Sequence, residues 1–212
     1  MNILIAGASG IVGQALLALL LQDNKVTKII SIGRKKLALK HPKLETYIQD
    51  FENLEKLEIS ENIDIAFCCL GTTLKTAGSK ANFYKVDLEY VVNFAQLALK
   101  LKIPTFAVIS AMKVSEKSLF FYNRVKAEME KTIAKLPFEQ IKIFKPSLLM
   151  AKNRKENRFG EQLAIRLMSY LRPILPKKYQ GVEPEIVAQA MWKYAQQKYT
   201  TKIQIIENQD FF

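Results

Sequence analysis

Residues 2–13 constrain this chain more than any other stretch. An apolar strand candidate, Asn2-Ile3-Leu4-Ile5-Ala6, runs straight into Gly7-Ala8-Ser9-Gly10-Ile11-Val12-Gly13, which opens a long apolar helix. In a strand–turn–helix setting the three glycines have separate physical jobs. Gly7 permits the tight turn, Gly10 lets backbone approach a pyrophosphate, and Gly13 lets the helix pack closely on the strand. The free amides of the helix start, with Ala8, Ser9, Ile11 and Val12 around them, and the helix dipole then favour phosphate. The spacing is G-x-x-G-x-x-G, and its position after a strand marks it as a dinucleotide-binding turn.

The rest of the chain continues that pattern. Short β-branched or apolar runs (Asn2 to Ala6, Lys28 to Ile32, Leu44 to Ile48, Asp64 to Cys69, Thr105 to Ser110, Gln140 to Phe144, and Lys202 to Ile206) alternate with amphipathic stretches. Helices are predicted over Ile11 to Gln22, Lys85 to Lys100, Leu119 to Lys135, Gly160 to Leu171 and Pro184 to Tyr199. Pro104 opens a strand, Pro137 stops a helix, and Pro184 suits a first helical turn. The expected fold class is α/β: one Rossmann-type, doubly wound parallel sheet of about seven strands with helices on both faces. From Met150 onward the alternation weakens, so residues 151–212 are expected to form a small substrate-side cap within the same single domain.

Scarcity excludes other chemistries. The chain has one histidine, His41, and two adjacent cysteines, Cys68 and Cys69, so no zinc site of four N/S ligands can be assembled and no metal is expected. A histidine-dependent hydrolase would have to use His41, which precedes Pro42 in a basic turn. The cysteines sit in an apolar run and read as buried hydrophobes in a reducing, cytoplasmic compartment. No stretch reaches the length of a membrane span, and Met1 to Leu21 lacks the basic start of an export signal. The net charge of +12 comes mostly from scattered lysines, which reads as solvated surface rather than a nucleic-acid interface. The densest basic segment, Lys152 to Arg158, is a loop that could touch an anion.

Cofactor choice is argued from the end of the second strand. NAD sites place an acid there for the ribose 2′-hydroxyl, whereas this chain has Ile32-Gly33-Arg34-Lys35-Lys36. A guanidinium and ammonium groups suit a 2′-phosphate, so NADP(H) is preferred over NAD(H), with Arg34 the leading contact and Lys35 the second.

Tyr122 and Lys126, four residues apart at the start of a predicted helix, share one face. A nearby ammonium and a positive nicotinamide ring would pull the phenol pKa down for proton transfer to a carbonyl. Ser110, at the carboxyl end of the fifth strand, is placed to bond the same substrate oxygen, with Ser115 the alternative. A second pair of the same spacing, Tyr194 and Lys198, lies late in a terminal helix with no strand-end serine before it and reads as a surface pair.

Together the glycine turn, Asp50-Phe51, Cys68-Cys69-Leu70-Gly71-Thr72-Thr73, Val86-Asp87, Ser110, Tyr122/Lys126 and Lys145-Pro146-Ser147 resemble the atypical branch of the short-chain dehydrogenase/reductase superfamily, in particular its Tat-interacting-protein group. The resemblance implies that Asp50 and Phe51 flank the adenine, that Leu70, Gly71 and Thr72 line the dinucleotide path, and that Lys126 also holds the nicotinamide ribose. It further implies that Pro146, Ser147 and Leu148 lie near the nicotinamide amide. Lys145 stands where the group often has arginine. Simpler roles compete: Asp50 as a helix cap, Thr72 and Thr73 as loop satisfiers, Asp87 as an early-helix acid.

Three functions follow. The first is an NADP(H)-dependent oxidoreductase acting on a small-molecule carbonyl or hydroxyl substrate. The second is an NADP(H)-binding regulator or redox sensor acting through a protein partner without turnover. A nucleotide-sugar epimerase is disfavoured because only 62 residues follow residue 150 to enclose a large ligand.

Overall fold

Seven parallel strands make one sheet in the order β3-β2-β1-β4-β5-β6-β7. The computed structural model describes residues 1–150 and 176–212. The strands are β1 (Asn2–Ala6), β2 (Lys28–Gly33), β3 (Leu44–Ile48), β4 (Ile65–Cys68), β5 (Thr105–Ile109), β6 (Gln140–Lys145) and β7 (Ile203–Glu207). Each falls within one residue of the run that its β-branched composition predicts. The central strands are buried on both faces, which is why they read as continuous apolar runs rather than as alternation. Strand order reverses between β1 and β4, and in such sheets a crevice opens there at the carboxyl ends.

Helices cover both faces. Among the described residues the helices are α1 (Ile11–Gln22), α2 (Leu74–Ala77), α3 (Lys80–Tyr84), α4 (Tyr90–Lys100), α5 (Phe121–Ala134) and α6 (Pro184–Ala195). On one face α1 packs against both the sheet and α6, which itself reaches β5 and β6, so Leu16, Leu17, Leu20 and Leu21 meet Val187, Met191 and Trp192 in one buried cluster. That position explains why α1 is apolar nearly all round. On the other face α4 and α5 bury Val91, Phe94, Val125 and Met129 against Phe106, Ile141 and Ile143.

The helix predicted from Lys85 starts earlier. Ser79 caps α3 by accepting from Asn82 N at 3.1 Å, and the chain stays helical through a π turn at Lys85–Glu89 into α4. A π turn adds a residue to the helical repeat, a feature that a 3.6-residue period cannot show, and such turns gather at functional sites. Here it carries Asp87 into the interior, fully buried.

The segment expected as a cap is divided. Of its described residues, α6 flanks the sheet and β7 extends it, while the turn at residues 177–182 and Asn208 reach the site side. The expected helix Gly160 to Leu171 and the basic segment Lys152 to Arg158 lie outside the described residues.

Candidate active site

Gly7 adopts φ +81°, a left-handed conformation that a side chain resists, and a Cβ there would stand 2.5 Å from the Cys69 carbonyl. A Cβ on Gly13 would lie 2.1 Å from Gly7 O, so Gly13 fixes how closely α1 seats on β1 and does not itself line the site. Gly10 is different: its Cβ would meet only Gly7 O at 3.3 Å and Cys69 O at 3.9 Å. It N-caps α1 with no side-chain cap bond and no acid in the first turn, so the positive end of the helix is open.

That helix end faces a cleft of about 690 Å³ at the carboxyl ends of β1, β2 and β4. Gly7, Ala8, Ser9 and Gly10 form one wall, Phe51, Leu70 and Gly71 another, and Arg34, Lys35 and Lys36 the rim. Among the described residues lining it there are three cations and no carboxylate. Phe51 is buried and stacks on Tyr90 with ring centroids 5.5 Å apart. Asp50 lies outside the lining, exposed, its Oδ1 accepting from Glu52 N at 3.1 Å as a turn cap.

A second pocket of about 230 Å³ continues from the first, sharing Gly10, Cys69, Leu70 and Gly71. Ile11, Val12, Thr72, Ser110, Tyr122, Lys126, Pro146 and Ser147 converge on it. Leu148 does not line it, whereas Leu149 does. Ser110 is therefore in the pocket; Ser115 is in an exposed turn where its Oγ accepts from Lys117 N at 3.2 Å.

Beneath this pocket are two ion pairs. Lys126 Nζ is 2.8 Å from Asp87 Oδ1, the side chains 4% and 1% exposed. Asp87 Oδ2 also accepts from Thr72 N at 2.8 Å, tying the loop after β4 to the pair. Burial opposes the Lys126 charge, yet Asp87 and Tyr122 beside it hold the ammonium above its ordinary range. Glu130 pairs with Lys145 at 2.8 Å and accepts from Ser110 Oγ. Tyr122, Lys126 and Glu130 stand at i, i+4 and i+8 on α5, one stripe facing the pocket floor.

The Lys126 ammonium does not by itself bring about the expected depression of the Tyr122 pKa. Burial raises the phenol above its ordinary value; Lys126 pulls it back, but Asp87 pushes it up again. A paired ammonium delivers only part of its field to a third group, so Lys126 alone does not make Tyr122 acidic.

Several site residues escaped sequence reasoning. Val86-Asp87 contributes to the family resemblance, with early-helix acid as the simpler role of Asp87, and neither reading points to a pair with Lys126; Glu130 is marked in the sequence only by its place four residues after Lys126. Asn208 is fully buried, its Oδ1 accepting from Ser147 N at 2.9 Å and its Nδ2 donating to the Lys177 and Gln180 carbonyls at 2.9 Å each. Ser147 Oγ donates to the Gln180 carbonyl as well. These bonds fasten the loop after β6 to the C-terminal segment across a sequence distance that no local pattern reveals.

The geometry fits what comparison with known proteins finds. Residues 2–94 match the semialdehyde dehydrogenase NAD-binding domain. The chain is 32% identical over 211 residues to protein HTATIP2 of Rattus norvegicus, covering 98% of this chain and 86% of that one. It is also 32% identical over 170 residues to the protein fmp52, mitochondrial, of Emericella nidulans, covering 77% and 72%. Among solved structures, MoeE5 in complex with UDP-glucuronic acid and NAD superposes with a TM-score of 0.73 at 15% identity, covering 98% of this chain and 76% of that one. At that identity the likeness shows the fold alone. The chain belongs to the family of protein HTATIP2, with the Rossmann fold of NAD(P)-binding proteins.

Proposed function

We propose that the protein is an NADP(H)-dependent oxidoreductase acting on a small carbonyl/hydroxyl couple, with Tyr122 as general acid and base. The observation that carries this reading is the convergence of Tyr122, Lys126 and Ser110 on one pocket continuous with the glycine-turn cleft. A dinucleotide fits that cleft because α1 offers an uncapped N-terminus and, among the described residues, the wall carries no opposing carboxylate.

When bound, the nicotinamide supplies or accepts the hydride. Tyr122 Oη gives its proton to the substrate oxygen in reduction and takes it back in oxidation. Lys126, fixed by Asp87, keeps a positive charge beside the phenol and limits the cost of its deprotonated form. Ser110 holds the same substrate oxygen from the β5 side. Arg34 and Lys35, on the rim, would take the 2′-phosphate. A reducing, cytoplasmic setting suits the two free cysteines.

The test is Tyr122→Phe assayed with NADPH against a panel of small aldehydes and ketones. Turnover should fall by about 10²–10⁴ while NADPH affinity stays within a few-fold. Unchanged turnover would remove Tyr122 from its role.

Two observations favour the second reading, an NADP(H)-binding protein that regulates a partner without turnover. The raised Tyr122 pKa and the commitment of the Ser110 hydroxyl to Glu130 both describe a quiet site. Tight NADPH binding with no oxidation across the same panel would select it.

A further inference from the structure

Ser110 and Glu130 hold a consequence for what the pocket binds. Glu130 is paired with Lys145 at 2.8 Å, the side chains 14% and 13% exposed, and a carboxylate held in an ion pair only accepts hydrogen bonds. The Ser110 Oγ contact with Glu130 must therefore use the serine proton. What Ser110 turns toward the pocket is its lone pairs. Tyr122, which lines the same pocket, is held as a phenol by burial and has a proton to give.

We propose that Glu130 is a positioning residue that fixes Ser110 as a hydrogen-bond acceptor, making the Ser110–Tyr122 pair complementary to a hydroxyl group rather than to a carbonyl. A hydroxyl oxygen can accept from Tyr122 while its own proton goes to Ser110. A carbonyl can accept from Tyr122 but meets the Ser110 lone pairs with its own. The proposal rests on the reading of Tyr122 and Ser110 as the substrate-facing pair and names the member of the couple that the site holds more tightly, the alcohol. A mismatched buried polar contact costs enough for at least about a tenfold preference.

Glu130→Gln reverses the polarity by a forced choice. Lys145 only donates, so the amide oxygen turns to Lys145 and the amide NH2 to Ser110. The serine must then accept from the amide and its proton is freed toward the pocket.

The experiment titrates cyclohexanol and cyclohexanone as matched probes into the full-length protein without nucleotide, by ligand-observed NMR. In wild type the alcohol should bind about tenfold more tightly than the ketone. In Glu130→Gln the preference should vanish or invert, and in Ser110→Ala, the second variant should the first not fold, it should fall to near unity. A merely structural role for Glu130 would weaken both probes together and leave their ratio alone. The same ratio in wild type and in the folded variants, or no binding of either probe, would overturn the proposal. Turnover of cyclohexanone with NADPH is measured separately, so a protein that fails to transfer hydride but keeps the alcohol preference removes the oxidoreductase reading and not this one.

Discussion

Lys126 Nζ and Asp87 Oδ1 stand 2.8 Å apart with almost no solvent reaching either side chain. Neither residue could be buried alone at reasonable cost. The π turn brings the acid inward, the Y-x-x-x-K spacing of α5 brings the base to it, and the Thr72 amide satisfies the second carboxylate oxygen. The loop after β4 and the helix that carries Tyr122 are thereby joined through one carboxylate.

Asp87→Ala should destabilise the protein by about 3–5 kcal/mol, because it leaves a buried ammonium and the Thr72 amide without partners. Replacing both residues, as in Asp87→Leu with Lys126→Met, should cost clearly less, since no uncompensated charge remains. Urea unfolding of the two proteins distinguishes the outcomes; equal losses would mean that the pair contributes through shape alone.

The rim cations make a separate prediction about nucleotide choice. Arg34→Ala with Lys35→Ala should weaken NADPH binding by about 10–100-fold, the worth of the charge-assisted bonds removed, while NADH affinity moves by less than about threefold. Paired calorimetric titrations measure both. Equal losses for the two nucleotides would place the arginine and lysine in general electrostatics and not at a 2′-phosphate.

The glycines of the turn should separate by role. Gly7→Ala meets the Cys69 backbone at 2.5 Å from a positive φ, and Gly13→Ala meets Gly7 O at 2.1 Å, so both should fail to fold or melt far below wild type. Gly10→Ala meets only Gly7 O closely, at 3.3 Å, and should fold with a melting temperature within about 4 °C of wild type, a shift on the order of 1 kcal/mol. Its loss should appear in NADPH affinity, by tenfold or more on the order of one misfitted contact. A Gly10→Ala protein that binds NADPH normally would show that no ligand backs onto that residue.

Local patterns made the strands, the glycine turn and the Tyr122–Lys126 pair readable, because each is encoded within a dozen residues. The parallel sheet follows from the alternation of short apolar runs with amphipathic stretches. What stayed hidden is held by pairs far apart in the chain. Asp87 with Lys126, Ser110 with Glu130, and Ser147 with Asn208 each satisfy a buried polar group across 20 to 61 residues. Family resemblance carried Asp50 and Leu148 to the cofactor path, but Asp50 turns outward to cap a turn and Leu149 takes the place at the pocket. Gly13, grouped with the cofactor-binding turn as well as with helix packing, meets the Gly7 backbone and does not line the cleft.

Lys142 supplies a pH test far from the candidate site. It is buried in the middle of β6, and its ammonium donates to Gln140 Oε1 at 2.8 Å, to the Gln197 carbonyl at 3.1 Å and to Gln204 Oε1, with the Tyr199 ring centroid at 4.1 Å. These partners are all neutral, so burial pushes its pKa down to about 8. An unfolded lysine keeps its proton to about pH 10.4. Between those values the unfolded chain holds more protons than the folded one, so this residue makes stability rise with pH there. Below about pH 8 both states are protonated and its contribution is flat at its lowest; above about 10.5 both are neutral and it is flat at its highest. Lys28, Lys85 and Lys131, whose pKa values are raised by carboxylate partners, act in the opposite sense at higher pH, so the readout must be a difference. Denaturant unfolding from pH 7 to 10.5 should show stability of wild type relative to Lys142→Met climbing through that window. A difference that stays constant with pH would show that the two glutamines, the carbonyl and the tyrosine ring hold the ammonium as well as water does.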